Sequence, residues 1–262
     1  MNRYERLNAI LELVAERGRI DVETLAGELA VSTATIRRDL DHLAQQQFLT
    51  RTRGGAVAHS VAYDLPLRYK TARQATEKQR IGQAAADLVA VGMVIGINGG
   101  TTATEVARAI ATRTDLRSPN EGRRAITIVT NAVNIANELT VRPHVKIVVT
   151  GGVARPQSYE LAGPLATHIL EGVSLDLAIL GADAVDPLYG ASAHHEGEAD
   201  INKLMASRAR RVVVVADSSK VGGQAFARIR RPEEIDMLIT DVGVGDDAVA
   251  KFEEAGVQVM RV

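Results

Sequence analysis

The sequence predicts a large α/β domain with a mostly parallel, Rossmann-like sheet, preceded by a small helical domain that ends in a short hairpin. Two observations carry this prediction. From about residue 76, helical segments alternate with short strands that are apolar on both faces, which is typical of a parallel sheet covered by helices. Before residue 58, three short amphipathic helices follow one another with turn signals between them. We therefore predict domains at 1–57 and 76–262, joined by a linker at 58–75.

The composition excludes several classes of protein. The 262 residues include no cysteine, so the chain forms neither disulfides nor thiolate metal sites. No stretch approaches the roughly 18 uninterrupted apolar residues of a membrane span, and the first residues lack the apolar segment of a signal peptide. We therefore expect a cytoplasmic protein, with no membrane partner and no cofactor.

Positive charge is concentrated near the first domain, although the whole chain has a net charge of −1. Residues 31–80 carry nine Lys and Arg side chains against four Asp and Glu. This asymmetry predicts a small anion-binding domain attached to a larger, mildly acidic one.

Three helices and a hairpin account for the first domain. The first helix has an apolar stripe within residues 3–16 and ends at Gly18, and the second begins after Asp21, a good N-cap. Ser32 caps the third helix after a short turn. The segment FLTRTRGGAV at 48–57 then forms two short strands before its paired glycines interrupt the regular structure.

The third helix carries the chemistry of this domain. On a helical wheel, Arg38 lies opposite the apolar stripe, as a side chain entering a major groove must, and Arg37 lies on the flank, within reach of the phosphate backbone. Paired arginines on a helix are most often solvated surface, but two helices, a turn and a polar helix start together predict a helix-turn-helix with a basic wing. The predicted DNA-binding residues are Ser32, Thr33, Thr35, Arg37, Arg38, Arg51 and Arg53.

The second domain contains six strongly apolar strands, and a further edge strand is predicted at the end of the chain. A polar loop is predicted at 117–124. The six strands are predicted at 93–97, 126–130, 145–150, 176–180, 211–216 and 236–240.

A glycine-rich turn follows the first of these strands and opens a helix. In GINGGTTATEVA, Gly99 and Gly100 allow backbone N–H groups to approach an anion, while Thr101 and Thr102 add hydroxyl groups at the helix start. The turn lacks the lysine of a P-loop and the spacing of a dinucleotide fingerprint. The glycines of this turn can also be explained by a purely steric need. We predict that the turn binds phosphate.

Other polar turns follow the carboxyl ends of the strands, where open α/β sheets bind ligands. Each is compatible with ordinary turn chemistry, but their succession favours a shared site, with Arg155 and Lys220 as cations and Asn131 and Asp183 as partners of sugar hydroxyls. The predicted effector-binding residues are Asn98, Gly99, Gly100, Thr101, Thr102, Asn131, Gly151, Gly152, Arg155, Asp183, His195, Glu198 and Lys220.

The segment HHEGEAD at 194–200 is compatible with a metal site. However, adjacent histidines point in different directions, and acids at a helix start are ordinary capping residues. We predict a loop that contacts the sugar end of a ligand, and no metal.

The first domain resembles a known family. VSTATIRRDLDHLAQQQFLTRTRGGAV resembles the N-terminal signature of DeoR-type bacterial repressors, although Gln47 stands where that family often has a glycine. The resemblance covers essentially the whole chain. It implies a winged helix-turn-helix followed by a sensor domain of the isomerase and CoA-transferase type.

The sensor of that family is similar to ribose-5-phosphate isomerase. GINGGTTA resembles the isomerase phosphate loop, LGADAVD its acid-bearing stretch and VADSSK its lysine turn. Leu180 replaces the first acid of that stretch, and Asn202, before Lys203, replaces the catalytic glutamate. Neither side chain can act as a base, so the resemblance implies a protein that binds a phosphorylated sugar without turning it over.

We therefore expect a DNA-binding transcriptional repressor that a phosphorylated sugar releases from double-stranded operator DNA. The resemblance also implies a homo-oligomer, either a dimer or a tetramer. Two alternatives stay open: a sugar-phosphate isomerase with an acquired DNA-binding domain, and a DNA-binding adaptor without a ligand.

Overall fold

The computed structural model describes residues 1–46, 48–58, 67, 74–116 and 125–262. The chain divides into two compact units, Met1–Arg73 and Gln74–Val262, here called the head and the sensor unit. The predicted linker at 58–75 falls almost entirely outside the described residues, as do the loop predicted at 117–124 and Gln47. Within the described ranges, no helix has the length and apolarity needed to cross a membrane.

The head combines three helices with a small antiparallel sheet. Its helices are α1 (Arg3–Arg17), α2 (Val22–Glu28) and α3 (Thr33–Gln45), and its strands are β1 (Arg19–Asp21), β2 (Leu49–Arg51) and β3 (Gly55–Ala58). The strands pair in the order β1-β3-β2. The three predicted helices are confirmed, but β1, which is only three residues long, was not predicted.

Local capping explains where the head helices begin and end. Gly18 ends α1 with a φ of 69°, Asp21 accepts a 2.8 Å hydrogen bond from the N–H of Thr24, and Ser32 accepts one of 3.2 Å from that of Thr35. Each carboxylate or hydroxyl satisfies an N–H group that lacks a helical partner. The apolar stripes of the three helices meet in one buried core, which includes Leu7, Ile10, Leu25, Ile36, Leu40 and Leu43.

The sensor unit alternates strands with helices, as predicted. Its main strands are β4 (Val94–Ile97), β5 (Ile126–Thr130), β6 (Val145–Val149), β9 (Leu177–Gly181), β12 (Val212–Val215), β14 (Met237–Thr240) and β15 (Gln258–Arg261). Five shorter strands are β7 (Val153–Ala154), β8 (Leu161–Ala162), β10 (Ala184–Asp186), β11 (Gly190–Ala193) and β13 (Ala227–Arg230). The helices are α4 (Ala75–Asp87), α5 (Thr101–Thr112), α6 (Val133–Thr140), α7 (Pro164–Glu171), α8 (Glu196–Ser207) and α9 (Asp246–Glu254).

One seven-stranded parallel sheet organises the sensor unit. Its order is β15-β14-β12-β9-β4-β5-β6, and every neighbouring pair is parallel. The chain runs from β4 outward to β6 and then returns to the other side of β4 with β9. The strand order therefore reverses between β4 and β9, which is where open α/β sheets form a ligand crevice at the carboxyl ends of their strands.

Both faces of this sheet are buried, which explains why its strands are apolar without alternation. Alternate residues of β9 enter different cores: Leu177 and Ile179 belong to one cluster, and Ala178 and Leu180 to the other. The first cluster includes residues of α4 and α5, and the second includes residues of α8. This confirms the predicted layering of helices on both sides of the sheet.

Candidate functional site

The start of α3 is built by its own hydroxyl groups. The Ser32 and Thr35 hydroxyl oxygens lie 3.0 Å apart, and Ser32 also caps the helix, so both take part in holding the first turn. The Thr33 side chain is exposed. The turn thus presents free backbone N–H groups at a helix N-terminus, where anions bind.

The sequence Arg37-Arg38-Asp39 divides between solvent and core. Arg37 and Arg38 are exposed, and neither has an ion-pair partner among the described residues. Asp39 is buried, and its Oδ2 accepts a 2.6 Å hydrogen bond from Nε of Arg6 on α1. The two arginines are therefore available to a ligand, whereas Asp39, whose role the sequence did not reveal, joins α3 to α1.

The wing is a tight hairpin between β2 and β3. The prediction that the paired glycines interrupt the regular structure is wrong for Gly55, which begins β3. A glycine is needed there because a Cβ would lie 2.0 Å from the carbonyl oxygen of Ile20 on β1. Arg51 Nε donates a 2.9 Å hydrogen bond to Asp41, and its NH1 donates to the Gly55 carbonyl at 2.8 Å. Arg51 thus braces the wing against α3, and Arg53 at the turn is exposed.

In the sensor unit, the Asn98 side chain links the carboxyl ends of β4 and β9. Its Nδ2 donates to the Gly181 carbonyl at 3.0 Å, and its Oδ1 accepts from the Gly181 N–H at 2.7 Å. Both polar atoms of this side chain are used, and the side chain is buried. Asn98, which the sequence predicts as an effector-binding residue, uses its amide in the structure to hold two strand ends together.

The adjacent turn opens α5. Gly100 is the N-cap residue, with a φ of 111°, and a Cβ added there would meet nothing within 4 Å. The left-handed backbone explains the glycine, and the open space exposes the helix N-terminus. Thr101 is half-buried and Thr102 is buried. An anion placed at this turn would meet helix N–H groups and the positive end of the helix dipole.

The glycine at position 99 is required for a different reason. A Cβ on Gly99 would lie 2.5 Å from Oε1 of Glu160, so the glycine is needed because that side chain packs flat against it. Glu160 Oε2 also accepts a 3.0 Å hydrogen bond from Nδ2 of Asn131, at the end of β5. Our sequence analysis did not select Glu160. It lies far from the glycine-rich turn in sequence, beside a two-residue strand with no readable periodicity.

The hairpin of β7 and β8 carries Glu160 into the site. Its backbone is tied to the end of β5, since the Leu161 N–H donates to the Asn131 carbonyl at 2.7 Å and the Val133 N–H donates to that of Tyr159 at 2.9 Å. Tyr159 has a φ of 61°, which side-chain-bearing residues adopt only at a cost. Gly152 allows the close return of this hairpin, because its Cβ would lie 2.8 Å from the Ala162 carbonyl.

Glu160 lies in an unusually acidic environment. The pKa of its carboxyl group is raised to about 8, chiefly by burial and also by the charges of Glu198 and Asp183, while the hydrogen bonds from Asn131 and the Gly99 N–H act in the opposite direction. The site therefore contains a third acidic side chain, Glu160, besides the predicted Asp183 and Glu198.

Arg155 and Glu198 form an ion pair across the site. Arg155 Nε lies 2.8 Å from Glu198 Oε1, and both side chains are largely buried. The sequence predicts both residues as effector-binding, with Arg155 as a cation for phosphate. In the structure Arg155 is paired with Glu198, which ties the β7–β8 hairpin to α8.

Asp183 and His195 line the same region. Asp183 Oδ2 accepts a 2.9 Å hydrogen bond from the His194 N–H, and the His195 ring packs against Gly197 at the start of α8. Among the described residues, the buried Nδ1 of His195 has no hydrogen-bond partner. The same holds for Oδ1 of Asn131, whose side chain is fully buried.

The remaining predicted residues lie at neighbouring strand ends. Lys220 is half-buried in a 3-10 turn after β12, where its N–H donates to the Asp217 carbonyl at 2.9 Å. Gly151 has a φ of 74° in the turn between β6 and β7. The described parts of the chain contain no group of three or more His, Cys, Asp or Glu side chains arranged to hold a metal ion.

Protein-family models match both units of the chain. Residues 6–61 match the DeoR-like helix-turn-helix domain, and residues 73–242 match the DeoR C-terminal sensor domain. In solved structures, the chain is similar to ribose 5-phosphate isomerase A from Methanocaldococcus jannaschii, with 21% identity and a TM-score of 0.41 over 56% of this chain and 55% of that one. It is also similar to the sorbitol operon regulator SorC from Klebsiella pneumoniae, with 14% identity and a TM-score of 0.41 over 96% and 99%.

Relatives cover nearly the full length of the chain. It is 36% identical to the HTH-type transcriptional regulator GlpR of Haloferax volcanii, over 98% of this chain and 96% of that protein. It is 33% identical to the putative aga operon transcriptional repressor of Escherichia coli O157:H7, over 98% and 93%, and 32% identical to the glycerol-3-phosphate regulon repressor of Escherichia coli K12, over 92% of each. The chain belongs to the DeoR family of helix-turn-helix transcriptional regulators.

Proposed function

We propose that this DNA-binding regulator is a repressor that leaves its operator when a phosphorylated sugar binds the sensor unit. Two of its relatives are named as repressors of an aga operon and of a glycerol-3-phosphate regulon. The protein acts where its operator lies, which we place in the cytoplasm. The observation that carries the effector proposal is the open N-terminus of α5 at Gly100, beside the point where the strand order reverses.

Phosphate fits this turn better than a neutral group does. The first N–H groups of α5 have no partner within the helix, and the helix dipole favours a negative charge beside them. Thr101 and Thr102 supply hydroxyl groups at the same end. A neutral hydroxyl would leave most of these donors unsatisfied, so phosphate accounts for most of the affinity.

The experiment compares the double variant Thr101→Val/Thr102→Val with wild type. The operator is first selected from a random DNA library by the wild-type protein. Sugar phosphates, their unphosphorylated counterparts and inorganic phosphate are then tested for a shift in melting temperature and for release of that DNA. A ligand at 100 times its Kd stabilises the folded state by about 2.7 kcal/mol, which gives a readable shift.

We expect only phosphorylated sugars to release wild-type protein, and the double variant to stay on DNA. The matched control is Thr112→Val, at the opposite end of α5, where the exposed hydroxyl donates to the Ala109 carbonyl. Normal ligand binding by the double variant would show that the turn is only structural. Loss of the ligand with normal release would place the sensor elsewhere.

An isomerase is the second candidate, because Glu160 is a buried carboxyl group with a raised pKa, as acid–base catalysts often are. Against it, Leu180 and Asn202 occupy the positions of the isomerase acids, and the Leu180 side chain is buried in the core of the sheet. A coupled assay with purified protein tests this candidate. Turnover that disappears in Glu160→Gln would establish an enzyme. We expect no turnover from either protein.

We also propose that the protein is a homo-oligomer. Each head carries one recognition helix, and helix-turn-helix proteins gain affinity by placing two such helices on repeated half-sites. Four apolar side chains lie exposed beside the edge strand β6, a surface we call the β6–α7 face. They are Val149, Val153, Leu165 and Ile169. We assign this face to a second copy of the chain.

A further inference from the structure

The candidate effector site has two ends of opposite character. One end, at Gly100 and the start of α5, offers hydrogen-bond donors. The other end offers acceptors, namely the carboxyl group of Glu160 and Oδ1 of Asn131, which has no partner among the described residues. A phosphate group that is fully ionised has no proton to donate, so it satisfies the first end and not the second.

The two ends are adjacent. Glu160 packs on Gly99. Gly99 and Gly100 are consecutive residues, so the Cα atoms of these two glycines are about 3.8 Å apart. A phosphate held at Gly100 would bring the carbon atoms that follow its ester oxygen close to Glu160. In open-chain sugar and polyol phosphates, the carbon next to the ester carbon carries a hydroxyl group.

Other charges of the site are already engaged. Arg155 pairs with Glu198 at 2.8 Å, and the His194 N–H donates to Asp183 at 2.9 Å. The raised pKa of Glu160 agrees with this picture, since burial and the neighbouring acids outweigh the two hydrogen bonds that its carboxyl group accepts. A donor from the ligand would supply what the protein does not.

We propose that Glu160 determines the specificity of the effector site by accepting a hydrogen bond from a hydroxyl group on a carbon close to the phosphate ester. This inference rests on the proposed function, because it assigns a role within the same site. It narrows the ligand class from any phosphate ester to those with a free hydroxyl group in that position.

The test is a thermodynamic cycle between protein and ligand. Binding of a panel of hexose and pentose phosphates, of their singly deoxygenated analogues and of inorganic phosphate is measured by calorimetry on the full-length protein. The variant is Glu160→Gln, which has the same shape and resembles the neutral acid, so it should fold. The control is Glu171→Gln, an exposed carboxylate on α7.

In wild type, we expect one deoxygenated analogue to bind about tenfold or more weakly than its parent, because loss of the hydroxyl donor leaves a hydrogen bond of the buried carboxyl group unmade. In Glu160→Gln, the remaining side-chain oxygen is the acceptor for Asn131, so an NH2 group replaces the acceptor that faces the ligand. The parent should then lose a similar factor, and deoxygenation should cost little further. Inorganic phosphate should bind both proteins, and the Glu171→Gln control, with equal affinity.

Three results would overturn the inference. Unchanged sugar-phosphate binding by Glu160→Gln would show that the carboxyl group does not contact the ligand. Tighter binding of every phosphate, including inorganic phosphate, would show that Glu160 competes for the donors of the turn. If an analogue with an ammonium group in place of the hydroxyl group binds more tightly than the parent, the natural ligand is a cation instead. In each case wild-type protein still binds sugar phosphates, whereas failure of the proposed function leaves wild type without any such binding.

Discussion

The Nε atom of Arg6 on α1 donates a 2.6 Å hydrogen bond to Oδ2 of Asp39, the residue that follows the two exposed arginines of α3. The Asp39 side chain is 4% exposed and that of Arg6 is 13% exposed. The pair therefore fixes the orientation of the recognition helix from inside the head, and its removal leaves a buried charge without its partner.

Asp39→Ala should destabilise the head by about 3 kcal/mol, because it leaves the largely buried Arg6 uncompensated. Hydrogen exchange at residues 3–45 measures this loss, and operator binding should fall with it. The control is Arg3→Ala, since Arg3 lies 3.7 Å from Asp39 but is 63% exposed. Equal effects of the two substitutions would contradict a buried structural pair.

Arg38→Ala should weaken binding to the selected operator by about 1–3 kcal/mol and reduce discrimination at one base pair, if the guanidinium contacts a guanine. Arg53→Ala should instead weaken binding to all sequences and reduce the salt dependence by about one phosphate contact. Binding at several salt concentrations, to operator and to scrambled DNA, separates the two. Wild-type affinity and specificity in Arg38→Ala would rule out the groove assignment.

The sequence predicts Arg51 and Arg53 as DNA-binding residues of one basic wing, so it predicts similar effects of Arg51→Ala and Arg53→Ala. Since Arg51 is paired with Asp41 and with the Gly55 carbonyl, its substitution should also loosen the wing. The check is whether Asp41→Ala, which removes one of these partners and no positive charge, also increases hydrogen exchange in β2 and β3. If only Arg51→Ala affects DNA binding and neither affects exchange, the brace is unimportant.

The steric relation of Gly99 and Glu160 gives a coupled prediction. Gly99→Ala should destabilise the sensor unit, because the new methyl group would overlap the Glu160 carboxyl group. Adding Glu160→Ala should recover much of that loss, so the two substitutions are not additive. Chemical denaturation of the single and double variants measures the coupling, and strict additivity would argue against the packing described.

Glu160 also predicts how stability depends on pH. Its pKa is raised from an unfolded value of 4.5 to about 8, so between these values the folded protein keeps a proton that the unfolded chain has lost. Stability should therefore fall as pH rises from about 4.5 to 8, by up to about 1.4 kcal/mol per pH unit from this group. Subtracting the pH profile of Glu160→Gln cancels other titrations, and parallel profiles would refute the prediction.

The β6–α7 face predicts a dissociating variant. Leu165→Lys with Ile169→Lys places two charges on one exposed side of α7, so the folded monomer should remain intact while the oligomer separates. Sedimentation of this variant, compared with the control Leu188→Lys at an exposed apolar position elsewhere, measures the separation. Oligomers of unchanged size in the α7 variant would exclude this face.

The sequence by itself determined the elements whose signals are local. The central strands of the sheet are runs of β-branched and other apolar residues, because both of their faces are buried. Ser32, Asp21 and Gly18 mark helix ends, since a cap depends only on residues within one turn. The exposed Arg37 and Arg38 followed from helical periodicity alone.

Tertiary structure alone decided which side chains meet. Glu160 reaches Gly99 because a hairpin of two-residue strands, too short to show any periodicity, folds onto the end of β5. Arg155 pairs with Glu198, and Asn98 with Gly181, across elements that are distant in the chain. Local propensity cannot encode such contacts, because they depend on the order of strands in the sheet. Burial at these contacts then raises the pKa of Glu160.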